Sequence, residues 1–271
     1  MRRPDFDKRR YRLSPELCEA AITLGVLALL AVVVAFVISR IAPDDGPAPR
    51  PSPQPLIGAI PEDRDRDVLE LVRRPMLQLP EQAIQPQPLS TDSAGPAITI
   101  PRTQQQAGRW IPGSTPGSPE GALAQLAALD ETALRGADPA TYTRGFTEQS
   151  ESGAPPADNT GLYALLRSLR TSAGMGPAGM VPGLTADYDV AQGQIKGTAE
   201  RGNLVVACVL GQYSVDYRGQ TVTAGIGDCQ AMRWNGREWR IADTPLAAPA
   251  PSAWPGSADA VAAGYRDLQE G

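Results

Sequence analysis

The stretch "ACVLGQYSVDYRGQTVTAGIGDCQ" carries Cys208 and Cys229, placed at equal distances either side of Arg218-Gly219. Two thiols so arranged could form a structural cross-link or a redox pair. A redox pair is more often close in sequence, as in Cys-x-x-Cys, or sits beside cations that stabilise a thiolate. The neighbours here are Ala207, Val209, Asp228 and Gln230, so a cross-link is expected. Asp228 offers a second chemistry. With Gln230, and with Tyr188 and Tyr213 as donors, it could act as a carboxylate base inside a pocket if all four face one interior. The competing reading is that a bulge at Gly225 or Gly227 turns Asp228 outward, or that it bonds backbone at the sheet rim. The chain has no histidine, which removes Ser-His-Asp and Cys-His nucleophiles and every His-based metal site. Asp187 and Asp189 fall on one strand face without the further oxygens a hard cation needs, and read as solvated. No catalytic, metal or cofactor residue is expected.

The element that must position the cysteines is a hairpin. If the loop at Arg218-Gly219 has two residues, Val215 faces Val222, Tyr213 faces Ala224 and Cys208 faces Cys229. The cysteines then form a non-hydrogen-bonded pair, whose Cα atoms approach to about 4.5 Å, within disulfide range. Gly211, Gly225 and Gly227 are the places where a bulge would shift this count. Arg201-Gly202 and Asn235-Gly236 are two further turn candidates. A two-residue loop at the last would set Met232 opposite Trp239 and Arg233 opposite Glu238. "LTADYDV" alternates, with Leu184, Ala186, Tyr188 and Val190 on one face. Together these segments read as a four-stranded antiparallel meander.

Three amphipathic helices precede it. Ser118, Pro119 and Glu120 suit an N-terminus, followed by Leu123, Leu126, Leu129 and Ala133. Asp138 and Pro139 start a second helix with Tyr142 and Phe146 four apart. The third carries Leu162, Leu165, Leu166 and Leu169. A last helix is expected after Ser257, with Val261 and Tyr265 folding back on the domain.

Ahead of these, Ala20 to Ser39 is a run without charge, close to the roughly 20 residues a helix needs to cross a bilayer. Arg2, Arg3, Lys8, Arg9, Arg10 and Arg12 precede it, so the positive-inside rule sets the N-terminus in the cytoplasm and the C-terminal mass outside. Thiols outside meet oxidising conditions, which favours the Cys208–Cys229 disulfide; Cys18 reads as an inert interfacial cysteine. Sixteen of the 27 prolines lie between Pro43 and Pro119, a linker composition. "RDVLELVRR" within it reads as a short helix whose Val68, Leu69, Leu71 and Val72 rest on the membrane surface or a partner. The expected organisation is a basic arm over 1–18, a transmembrane anchor over 19–41, a disordered Pro-rich linker over 42–107, an α+β domain over 108–247 and a tail over 248–271. From Gln106 onward there are twelve basic and seventeen acidic residues, the wrong balance for neutralising phosphate, so nucleic acid is not an expected partner.

Helices first and a curled antiparallel meander after them resembles the cone-like fold shared by nuclear transport factor two and ketosteroid isomerase. With an anchor and a proline-rich spacer in front, the order is similar to that of bitopic assembly proteins of type IV secretion and conjugation machines, including the TcpC-like proteins of Gram-positive mobile elements. "IPGSTPGSPEGALAQLAALD" is also similar to an entry motif of anchored proteins from such elements, which Ser118-Pro119-Glu120-Gly121-Ala122 fills. The resemblance implies an α+β cone, single-pass membrane attachment and envelope protein partners in a non-catalytic scaffold. The alternative it implies is a tethered ligand-binding or isomerase-like domain using Asp228, Gln230, Tyr188 and Tyr213.

Overall fold

The computed structural model describes residues 61–114 and 116–271. The basic arm, the expected anchor and Cys18 lie outside the described residues. Among those described, no helix is long and apolar enough to cross a membrane. The chain runs α1 (Pro61–Arg73), β1 (Ile98–Ile100), α2 (Pro119–Ala133), α3 (Pro139–Gln149), α4 (Gly161–Ser172), β2 (Leu184–Ala199), β3 (Leu204–Tyr217), β4 (Gln220–Trp234), β5 (Trp239–Ile241), α5 (Ala258–Ala262) and β6 (Arg266–Glu270). It is an α+β fold built on a curled mixed sheet of order β1-β6-β2-β3-β4-β5.

The expected helices form for the expected reasons. Ser118 Oγ accepts from Gly121 N–H to start α2, Asp138 accepts from Ala140 N–H to start α3, and Ser257 accepts from Ala260 N–H to start α5. Each satisfies an N–H that has no partner inside the helix. The helices α2, α3 and α4 bury Leu123, Leu126, Leu129, Tyr142, Phe146, Leu162 and Leu166 against one sheet face.

Strand β3 is buried on both faces from Leu204 to Gly211, which is why it reads as a near-continuous apolar run. Val205, Ala207 and Val209 face the helices. Leu204, Val206, Cys208 and Leu210 face a second layer made by α1, the segment around Met76 to Ile84 and the C-terminal tail.

That second layer corrects the expected linker over 42–107. From Pro61 onward its described residues belong to the folded body. Val68 and Val72 of α1 pack with Leu204, Val206, Ala231 and Ala242, not on a membrane or a partner. Lys196 Nζ donates to the Val72 carbonyl at 3.1 Å, and Arg74 donates to the Lys196 carbonyl at 2.7 Å. Ile98 is buried within β1. Prolines keep this segment from forming long helices, but its few apolar side chains are spaced to seat on the sheet.

The meander is also larger than expected. β6 pairs antiparallel with β2 and parallel with β1, so the sheet has six strands and is mixed. Two of the three turns differ from two-residue loops. Ala199 pairs with Leu204 across Glu200–Asn203, and Trp234 pairs with Trp239 across Asn235–Glu238. At the latter, Asn235 Oδ1 accepts from the N–H groups of Arg237 and Glu238 at 3.0 Å each, and this side-chain turn widens the loop. Met232 therefore faces Ile241, and Arg233 faces Arg240, not Trp239 and Glu238. The slip is two residues, so the faces are preserved. Arg233 instead bonds Glu151 and Glu200.

The central turn is the expected one. Arg218 and Gly219 take φ of 55° and 74°, both positive as a type I′ turn requires. The β3–β4 register is continuous, with Cys208 opposite Cys229. No bulge falls at Gly211, Gly225 or Gly227; the register shifts lie in β2, after Val190 and after Ile195. Gly225 and Gly227 serve close approach. A Cβ at Gly225 would stand 1.8 Å from the Ala253 carbonyl oxygen, and one at Gly227 2.4 Å from that of Pro251. Gly225→Val is therefore expected to lift the tail off the sheet, at a cost of about 3 kcal/mol from overpacking. Limited proteolysis should cut the variant between Ala247 and Ser257 under conditions that leave the wild type whole.

Candidate functional site

Five elements bring polar side chains into the interior between sheet and helices. On β4 the alternation sends Ile226, Asp228, Gln230 and Met232 to the helix side. Tyr188 of β2 and Tyr213 of β3 are cross-strand partners, their rings edge-on with centroids 6.2 Å apart. The structure thus gathers all four sequence-derived pocket residues into one interior. It adds two that were not singled out, Asp130 of α2 and the hydroxyl of Tyr142 of α3.

Asp130 lies four residues after Leu126 and seven after Leu123, on the stripe that faces the sheet. It is fully buried, and neither carboxylate oxygen has a hydrogen-bond partner. Burial, then the charges of Asp228 and Glu131, push its carboxyl well above the ordinary range. Asp228 is buried too, and burial raises it to about 6 even though hydrogen bonds from Gln230 and the Cys229 backbone oppose the shift. Gln230 Nε2 donates to both Asp228 oxygens, at 3.1 and 2.9 Å. The Tyr142 hydroxyl is buried and unbonded; the neighbouring Thr160 hydroxyl donates instead to the Ala157 carbonyl at 2.7 Å.

Two carboxyls in one apolar interior, both raised by burial and one of them to about 6, have the make-up of an acid and a base. Their surroundings are those of a closed core. Tyr188 donates to the Ile226 carbonyl at 2.7 Å and Tyr213 to the Leu134 carbonyl at 3.2 Å, so both phenols are committed to backbone. Two clefts among the described residues lie elsewhere. One of about 170 Å³ is lined by Leu89, Gln192, Arg266 and Asp267 among others, and its Gln192 is spent on Asp267 and the Gly256 N–H. The other is an open groove along α1, with Leu69 and Arg73 in its wall.

On the opposite sheet face Cys208 and Cys229 are joined in a disulfide, with Cα atoms 4.1 Å apart. Both are buried, beside Ala253, Ala260 and Tyr265. The Met76 sulfur lies 3.4 Å from the Cys229 sulfur and 3.8 Å from that of Cys208. The cross-link expected from the register is the one present. It is covered by the second layer and staples the centre of the sheet.

Asp187 and Asp189 are exposed, as expected, and Asp187 pairs weakly with Arg135 at 3.7 Å. The one signal in the sequence for Asp130 was a charged residue at a core position of an otherwise apolar stripe.

No family model, no curated protein and no solved structure matches this chain.

Proposed function

We propose that the chain is a non-catalytic interaction protein that holds its folded domain outside the cytoplasm on a single-pass tether, as an assembly or scaffold subunit of an envelope machine of the conjugation or secretion type. The observation that carries this reading is the buried Cys208–Cys229 disulfide at the centre of the sheet. A disulfide in the core is a folding element and persists in oxidising compartments. The apolar run Ala20–Ser39 with its basic flank supplies the tether and the orientation. The helices on one side of a curled sheet are in keeping with a cone of the nuclear-transport-factor-two type. In this reading the polar interior specifies packing, and contacts to envelope partners use the outer surface.

A second reading is favoured by one specific observation, the unpartnered buried carboxyl of Asp130 facing Asp228. In that reading the interior opens to admit a small ligand, with Asp228 as base and Asp130 as proton donor.

Cross-linking in intact cells followed by capture of the full chain separates the two. The scaffold reading expects other envelope proteins in the captured material and expects Asp228→Asn to leave that set unchanged. Recovery of the chain without envelope partners would overturn it, and loss of the set in a folded, normally expressed Asp228→Asn protein would favour the pocket. Orientation has its own check: a reporter active only in the cytoplasm, fused after Gly271, is expected to be silent.

A further inference from the structure

Cys208 and Cys229 are both buried, and on the α1 side one short segment covers their disulfide. Arg74 to Pro80 joins α1 to the 3-10 turn Glu81–Ile84, and both of its ends are fastened. The Val72 carbonyl accepts from Ala248 N–H at 2.9 Å and from Lys196 Nζ at 3.1 Å. The Ala83 carbonyl accepts from Trp254 N–H at 2.6 Å. Between those points, among the described residues, no main-chain group from Pro75 to Leu79 bonds to the sheet or the tail. Pro75, Leu77, Gln78 and Pro80 are exposed, and only Met76 and Leu79 pack inward. The segment is a strap that rests on two side chains.

Met76 is the one that touches the disulfide, its sulfur 3.4 Å from that of Cys229 and 3.8 Å from that of Cys208. It is half-buried, so a small reagent reaches the thioether while the disulfide behind it stays covered. The cluster it seats on is apolar, with Ala83, Leu210, Ala253 and Ala263 among its members. Tyr265 brings a hydroxyl to that cluster, but it already donates to the Pro251 carbonyl at 2.9 Å. A thioether suits such a seat. A sulfoxide carries an oxygen that needs a donor, and the seat supplies none.

We propose that Met76 is an oxidation site for hydroperoxides and the latch of the strap over the disulfide. The sulfide takes one oxygen from the peroxide. An S–O bond forms, the O–O bond breaks, the sulfur gives up two electrons, and hydrogen peroxide leaves as water. The sulfoxide then quits its seat, and the strap lifts without breaking a main-chain bond between Pro75 and Leu79. The Cys208–Cys229 disulfide becomes open to attack by a thiolate. Other methionines lack this coupling. Met180 is 97 % exposed, so its oxidation releases nothing, and Met232 is shut inside the core on the opposite sheet face. The latch depends on the disulfide alone, and not on the tether or on envelope partners.

The purified full chain in detergent, in a Cys18→Ser background, is treated with hydrogen peroxide, and peptide mass spectrometry reads the sulfoxide at each methionine. After the peroxide is removed, dithiothreitol is added and the thiols released at Cys208 and Cys229 are alkylated and counted with time. Met76 should oxidise before Met232. The oxidised chain should lose its disulfide at least about tenfold faster than the untreated one, with the fluorescence of buried Trp239 unchanged. Met76→Leu keeps an apolar cover that peroxide does not alter, and its reduction rate should be the same with and without treatment. Met76→Ala removes most of the cover and should show the fast rate without peroxide. Any of five results would overturn the proposal: Met76 as resistant as Met232, a sulfoxide at Met76 with the reduction rate unchanged, a Met76→Leu chain that still responds, a slow Met76→Ala chain, or a response that comes only with exposure of Trp239.

Discussion

Asp130→Asn is expected to unfold at a higher temperature than the wild type at pH 8 and at nearly the same temperature at pH 4. The carboxyl of Asp130 titrates near 3.8 when unfolded and well above that in the fold, because burial and then Asp228 and Glu131 disfavour its charge. Between those two values the folded chain binds a proton that the unfolded chain has released. Stability is therefore fully present below the unfolded value and falls as pH rises through the folded one. Asp228 adds a loss in the same direction between about 4 and its folded value of about 6. The groups that face this pair are Glu131 on α2, Tyr142 on α3 and Tyr188 on β2, with Tyr265 acting on Asp228 from across the sheet, and all are acids. None offers a compensating positive charge. Asparagine has the shape of the protonated acid and cannot ionise, so it removes one of the two losses. A buried charged group without a partner costs on the order of 2 kcal/mol or more, which is roughly 5 °C for a domain of this size. Thermal unfolding of the full chain in detergent from pH 4 to 9 measures it. Superimposable wild-type and variant profiles would contradict the assignment.

Arg170→Met should be the most damaging exchange outside the disulfide. Only 1 % exposed, the Arg170 side chain donates to the carbonyls of Gly176 at 2.7 Å, Ala137 at 3.0 Å and Gly179 at 2.6 Å. It also lies 3.9 Å from Asp138, the residue that caps α3 and accepts from Gly179 N–H at 2.9 Å. Burial alone would raise the Asp138 carboxyl. Hydrogen bonds from Gly179, Thr141 and Ala140 and the Arg170 charge outweigh it and hold the group below its ordinary value. One guanidinium thus fastens the uncharged segment after α4 to the junction between α2 and α3. Methionine fills the space but leaves three carbonyls without donors, a loss of about 3 kcal/mol or more. Arg170→Lys keeps the charge but cannot reproduce a planar fork with several fixed donors, and should recover only part of that loss. Urea unfolding monitored through the buried Trp239 reports both variants. A shift for Arg170→Met within the roughly 0.5 kcal/mol of an ordinary surface change would show that the carbonyls find other partners.

The parts legible in the sequence are those written into short-range signals. Ser118, Asp138 and Ser257 announce their helices because a cap acts within three residues. Arg218-Gly219 fixes the β3–β4 register because alternating apolar residues on both strands reject a one-residue slip, even though arginine at φ 55° is unfavourable. The disulfide followed from that register alone. What stayed hidden depends on distant partners. β1 and β6 are three and five residues long and meet only because the tail returns across the chain, and "RDLQE" carries no alternation that would announce a strand. The segment from Pro61 to Ala107 looked like a linker because proline dominates its composition, while its packing rests on a few residues such as Val68, Val72 and Ile98. Asp130 stays hidden because a single acid on an apolar helical stripe has the same sequence signature whether it sits at the rim or in the core.

We propose that the folded domain stands in an oxidising compartment, across a membrane from its basic N-terminal arm. Mass spectrometry of the full chain from its native membranes tests it most directly, with free thiols alkylated at lysis and the digest run without reduction. A linked pair of peptides containing Cys208 and Cys229 is the expected result. Finding both cysteines alkylated in the folded chain, on separate peptides, would contradict it.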